Sequence, residues 1–232
     1  MAALSVELPE RLDPAIDELR AQHPQYADFW TRGEVKASEA GFAAMERMDV
    51  VRKSGVDNEG HPVFMFIPGN IAEGADLDEL TMFAVHLMHD VVVRQGREYT
   101  VLWVCNNLLD SRLSFAWFRR TYRMLPQAYH KQLCYVCVVH PDIQTRLILF
   151  LLSYFVKNQF WEKLFYADRI EFLDERLKDD TIASIPEEYK QYDRDLDKAM
   201  YATEDASLAQ MQGMVGMPPP FNQDAHKLPG QG

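Results

Sequence analysis

Cysteine is scarce in this chain, glycine patterns for phosphate are missing, and no apolar run is long enough to cross a bilayer. The three cysteines, Cys105, Cys134 and Cys137, are odd in number and fit reduced thiols better than a disulfide framework. The apolar stretch LILFLLSYFV at 147–156 has one serine and no charge but is closed by Arg146 and Lys157, whereas a spanning helix needs about 20 such residues. The opening MAALSVELPERLD lacks a basic segment followed by an apolar one, so secretion is not expected and a cytoplasmic location is. There is no Gly-x-Ser-x-Gly elbow for a nucleophile. Gly69 and Gly74, in PGNIAEGAD, match neither the P-loop nor the dinucleotide pattern. A formal net charge of -11 argues against nucleic acid as a partner.

What is present is a chain of 232 residues, 47% hydrophobic and 25% charged, which suits one globular domain with extra terminal segments. Residues 9–47 read as one or two helices, with Leu12, Ile16 and Leu19 at helical spacing. Two apolar runs flank DNEGHP, which predicts a hairpin with strands near 49–54 and 62–67. From Leu77 onward, Leu80, Phe83, Leu87 and Val91 follow the three-four spacing of an amphipathic helix, with Asp76 as N-cap and Glu79 three positions on. Buried strands are expected at 100–105 and 133–139, a helix at 113–125, another after Pro141, a third strand at 163–167 and a short helix near 170–177. Alternating strands and helices at this spacing imply an α/β fold with a mainly parallel sheet. Past about Met200 the chain is rich in Gly, Pro, Gln and Met with no periodic face, and 201–232 is expected to be a disordered tail.

Neither apparent metal motif holds together. Cys134 and Cys137 sit in LCYVCVVHP, a β-branched run read as a strand, where positions three apart point to opposite faces. No second cysteine pair completes a zinc site. His86 and His89 stand at i and i+3 on the predicted helix beside Asp90, without a third ligand of recognisable relation. The expectation is therefore no metal, no cofactor and no enzymatic activity.

Between residues 111 and 131 lie Arg112, Arg119, Arg120, Arg123 and Lys131 with no acidic residue. Phe115, Phe118, Tyr122 and Leu125 take the buried face of the predicted helix, leaving Arg119, Arg120 and Arg123 on or near its outer face. Three readings stand: a solvated face, a site for a phosphorylated headgroup, or a contact for an acidic protein surface.

Read in order, several pieces resemble one family. Gly55-Val-Asp57-Asn-Glu-Gly60-His-Pro62-Val63 is similar to the opening of CRAL-TRIO domains, the lipid-transfer fold of the yeast phosphatidylinositol transfer protein group. Tyr99 to Val104, Leu113-Ser-Phe-Ala-Trp117, Tyr122-Arg123, Val138-Val-His140-Pro141, Lys163-Leu-Phe165-Tyr166, Ile185-Pro186 and Tyr192-Asp193 resemble the divergent branch called BCH domains. That branch occurs in a Rho GTPase-activating protein, in BNIP and caytaxin scaffolds, and in ganglioside-induced differentiation-associated proteins. The loop CNNLLDSRL at 105–113 departs from the histidine-containing form common in the branch.

The resemblance implies a CRAL-TRIO/BCH-like domain at 48–200, with 1–47 as an N-terminal helical segment. It implies a non-catalytic signalling scaffold that binds a Rho-type small GTPase or other protein, with homodimers and peripheral membrane contact in keeping with the branch. The alternative is a lipid-binding or lipid-transfer protein, holding a phospholipid or other apolar ligand under a gate helix at 147–156. On that alternative Leu147, Phe150, Leu151, Tyr154 and Phe155, with Phe160 and Trp161, are the candidate pocket or gate residues. A core helix over a closed pocket is the other reading of the same stretch.

Overall fold

Strand β2 (Pro62–Phe66) is buried on both sides of the sheet, because its residues are apolar on both faces and both faces are covered. In the computed structural model, which describes residues 14–39, 41–105, 113–152, 154–155, 158–196 and 198, Val63 and Met65 enter one core and Phe64 the other. Such two-sided burial is what a near-continuous apolar run specifies. β1 (Val51–Val56) pairs with β2 antiparallel, and β3 (Tyr99–Val104), β4 (Leu133–Val139) and β5 (Leu164–Ala167) follow in parallel, giving a five-stranded sheet in sequence order.

Each parallel step needs a helical crossover, and right-handed crossovers that always advance in one direction deposit their helices on one face. That face carries α4 (Leu77–His89), then α5 (Phe115–Met124) and α6 (Gln127–Gln132), then α7 (Ile143–Leu152) followed by α8 (Asn158–Trp161). Val85, Met124, Tyr129, Ile148 and Leu149 join Phe64, Tyr99, Trp103 and Val138 in its core. Upstream, α1 (Pro14–Gln22) and α2 (Pro24–Glu39) bring Ile16, Tyr26 and Trp30 to the same core, while α3 (Ala43–Met48) adds Met45 to a satellite cluster with Phe42 and Phe83. The opposite face is covered by shorter pieces: a 3-10 turn at Ile170–Glu175, the helix α9 (Asp179–Ala183), and Ile185 and Tyr189.

The expected mainly parallel α/β sheet with flanking helices is thus present. Asp76 caps α4, accepting from the backbone N–H of Asp78 at 2.8 Å and Glu79 at 3.3 Å. Glu79 does not close a capping box and instead meets Lys36 of α2 at 2.6 Å. α4 runs on into one π-helical turn at Asp90–Arg94. The short helices α6 and α9 were not expected. The tail 201–232 and the first thirteen residues lie outside the described residues, and no helix among those described is long and apolar enough to cross a membrane. The residues from Gln191 on form a separate unit, helical at 191–196, in which Gln191 donates to Asp195 at 2.9 Å.

The Gly55 to Val63 motif has a structural explanation. Gly55 sits at φ +65° where β1 bulges, a conformation that costs an L side chain roughly 1–2 kcal/mol. Two residues on, the buried Asp57 accepts from the backbone N–H of Glu59 at 3.0 Å and of His61 at 2.8 Å, and from the Thr100 hydroxyl at 2.8 Å. It therefore ties the turn to the start of β3. Thr181 of α9 donates to the Val56 carbonyl at 2.7 Å and accepts from its N–H at 2.9 Å, and a Cβ on Gly55 would collide with that hydroxyl. Gly55→Ala should accordingly lower unfolding stability by about 2–4 kcal/mol in urea denaturation; a loss below about 0.5 kcal/mol would show that neither the left-handed φ nor the Thr181 contact matters.

Candidate functional site

Between the helix-covered face of the sheet and α4, α5 and α7 lies a partly open cavity of about 300 Å³, at the lower end of the roughly 300–1,000 Å³ that small-molecule sites occupy. Its floor is Phe64, Phe66, Val101 and Trp103, and its helical walls include Ala84 and Met88 from α4, Phe118 and Tyr122 from α5, and Leu149 and Leu152 from α7. Trp103 stacks on Phe118 at 5.2 Å and meets Phe66 edge-on at 5.5 Å. These aromatic groups support one another across the floor, while the small side chains Ala84 and Thr81 leave room on the facing wall.

Polar groups at one end are satisfied within the protein. Tyr99 donates to the Tyr129 carbonyl at 2.9 Å, and the Tyr129 and Tyr26 hydroxyls lie 2.9 Å apart. Burial holds both Tyr99 and Tyr129 phenols well above their ordinary pKa, so they remain neutral donors. The Lys163 ammonium donates to the carbonyls of Leu133 and His130. At the α5 side, by contrast, Trp103 Nε1, Trp117 Nε1 and Thr121 Oγ1 are buried without a hydrogen-bond partner among the described residues. An unmet buried donor costs about 1–3 kcal/mol, so three of them beside an apolar space are groups that an acceptor on a bound molecule would relieve.

The apolar helix α7 presents two faces. Ile148, Leu149 and Leu152 are buried, whereas Leu147 is 53% exposed, Phe150 58% and Tyr154 71%. Among the pocket or gate residues singled out in the sequence, Phe160 lines the cavity. Leu151 and Trp161 are half-buried, and Leu147, Phe150 and Tyr154 point outward. The lining from this helix is Leu149 and Leu152, because a 3.6-residue repeat puts those two on the same side and their neighbours away.

Phe155 belongs to a seam. Its ring lies 5.8 Å from that of Phe115, with the Arg119 guanidinium 4.7 Å and the Arg123 guanidinium 5.8 Å from its centroid. The basic helix face and the end of the apolar stretch therefore meet. Arg120 pairs with Asp78 of α4, and Lys131 is exposed at the end of α6. Arg112 lies outside the described residues.

His86 and His89 are engaged within the fold: His86 Nδ1 is 2.6 Å from Glu34, and the buried His89 Nδ1 is 2.8 Å from the Tyr26 hydroxyl. All three cysteines are free. Burial pushes the Cys105 and Cys137 thiols up to about 12, and burial with nearby carboxylates, Glu98 foremost, pushes Cys134 up to about 11.

The fold is a one-sheet α/β domain with its helical crossovers on the cavity side. Residues 60–195 match the family described as the divergent CRAL/TRIO domain, and the chain belongs to that family. It is 26% identical over 146 residues to the Rho GTPase-activating protein gacY of Dictyostelium discoideum, covering 62% of this chain and 19% of that protein. To the GDAP2 homolog of Nematostella vectensis it is 22% identical over 166 residues, covering 71% of this chain and 32% of that one. The chain thus spans between a fifth and a third of the length of these relatives. The crystal structure of Sfh5 aligns with a TM-score of 0.45 at 11% identity, covering 71% of this chain and 70% of that one.

Because the thiolate is the reactive form, a pKa of about 12 leaves roughly one in ten thousand of the Cys105 and Cys137 thiols ionised at pH 8. Iodoacetamide at pH 8 should spare both in the folded chain and modify both in urea. Cys134, half-buried, should react before them as the pH is raised, and fast native labelling of Cys137 would contradict the packing described.

Proposed function

We propose that this domain is a non-catalytic cytoplasmic module that holds one apolar, lipid-like molecule in the cavity beneath α4, α5 and α7. The observation that carries the reading is the cavity, apolar on its floor and walls, with unmet donors on Trp103, Trp117 and Thr121 beside it. An amphiphile with an acceptor group suits that combination: its chain replaces empty space against Phe64, Trp103 and Leu149, and its polar end meets donors that have no partner among the described residues.

Native mass spectrometry of the gently purified full chain should show a discrete added mass that extracts into organic solvent as one lipid class. Ala84→Trp, which sends an indole into the cavity from α4, should reduce that mass at least tenfold while costing no more than the roughly 1–3 kcal/mol of overpacking. A clean unliganded mass for the wild-type chain, monomeric or dimeric, would remove the ligand-holding reading.

A second reading is supported by the similarity to a protein named as a Rho GTPase-activating protein: α5 contacts a Rho-type small GTPase or another acidic protein surface. Arg120 and Arg123 are exposed, and the Arg120–Asp78 pair is half-exposed on both sides, so it is weak enough to exchange partners. Reversing Arg119, Arg120 and Arg123 to Glu should weaken binding to a GTP-loaded Rho-type GTPase at least tenfold in calorimetry, and an unchanged affinity would take this face out of consideration.

A further inference from the structure

Where the parallel strands begin, three separate segments bring metal-ligating atoms together. The β1–β2 turn supplies His61, the approach to β3 supplies Glu98, and the first turn of β4 supplies Cys134. One ring nitrogen, one carboxylate oxygen and the sulfur lie within 4.8 Å of one another. His61 Nε2 and Glu98 Oε2 are 3.2 Å apart, close to the edge of about 3.3 Å expected for two donors bound at about 2.0 Å to a tetrahedral zinc ion. Cys134 stands at an irregularity of β4, where the pairing passes from Tyr99–Leu133 to Val101–Val136 and the β4 side takes one residue more than β3. Such bulges re-aim side chains. Glu98 is 56% exposed in its side chain, so its carboxylate has freedom to close on an ion.

The second shell points the same way. His61 Nδ1 lies 3.0 Å from Asp57 Oδ2, and Asp57 is buried and already held by two backbone N–H groups and the Thr100 hydroxyl. Asp57 is an acceptor only, so Nδ1 carries the proton and donates. That arrangement leaves Nε2 as the ring nitrogen turned toward Glu98, as in carboxylate–histidine–zinc triads. Cys134 adds a sulfur donor to this nitrogen and oxygen, a set that suits a zinc-class ion.

We propose that His61, Glu98 and Cys134 ligate one divalent ion of the zinc class, with Asp57 as the positioning residue for His61 and a fourth position left to solvent. The ion would fasten the Asp57 turn to the starts of β3 and β4, and the thiol proton is released to solvent as the thiolate binds. The probe is cobalt(II) alone, titrated into chelator-treated full-length protein. One equivalent should give a near-ultraviolet thiolate-to-cobalt charge-transfer band, displaced by zinc. Cys134→Ser should abolish the band and Cys137→Ser should leave it. Glu98→Gln, at an exposed position that leaves the fold intact, should weaken cobalt binding at least tenfold. No band at excess cobalt, a band that survives in Cys134→Ser, or unchanged affinity in Glu98→Gln would each overturn the assignment.

Discussion

The constraint on which the rest of this structure depends is the handedness of its crossovers. β2, β3, β4 and β5 advance across the sheet in sequence order, so three right-handed connections in one direction put α4, α5 and α7 on the same face. That face receives long helices that must bridge a twisted sheet, and the other only short pieces that fill against Val63, Met65 and Cys137. The cavity arises on the crowded side, where α4 offers Ala84 and Thr81 opposite the Trp103–Phe118 stack. Large aromatic groups on one wall and small side chains on the other leave a gap that no single rotamer closes.

The seam between α5 and α7 joins two features that the sequence presents separately, a basic helix and an apolar one. Phe155 lies against Phe115 and beneath Arg119 and Arg123. A cation over a ring is worth roughly 0.5–1 kcal/mol when exposed, enough to hold the seam and little enough to release it. A partner that recruits Arg119 or Arg123 would thus also loosen one edge of the cavity's cover. The two functional readings then need not exclude each other.

Much of the scaffold was legible where periodicity is strong. β2, β3 and β4 are short apolar runs bounded by turn residues, and α4 combines a three-four apolar repeat with a capping aspartate. α6 and α9, with sequences QAYHKQ and DDTIA, carry no such repeat and form because neighbouring strands fix their ends. In the site, the inward face of α5 was readable from Phe118, Tyr122 and Leu125, all of which line the cavity, because polar residues mark the opposite side. α7 is apolar nearly all round, and a helix without a polar stripe gives no phase. Its inward residues Leu149 and Leu152 therefore had no signal separating them from Leu147 and Phe150. Cysteine spacing was equally silent about Cys134, whose neighbours His61 and Glu98 come from segments far away in sequence.

Asp57 shows why a motif can be recognised before its role is understood. Resemblance drew attention to the Gly55 to Val63 segment, and the structure gives it a physical basis in one buried carboxylate with four hydrogen-bond contacts. Three of these contacts organise backbone and strand start. The fourth goes to the His61 ring, which a turn of this kind does not require, since the His61 N–H is already bound. A buried carboxylate spends a contact on a ring nitrogen when the orientation of the other nitrogen matters. The residue that closes the hairpin is by that argument also the one that points His61 at Glu98 and Cys134, so the turn that begins the fold's family motif doubles as the frame of a second site.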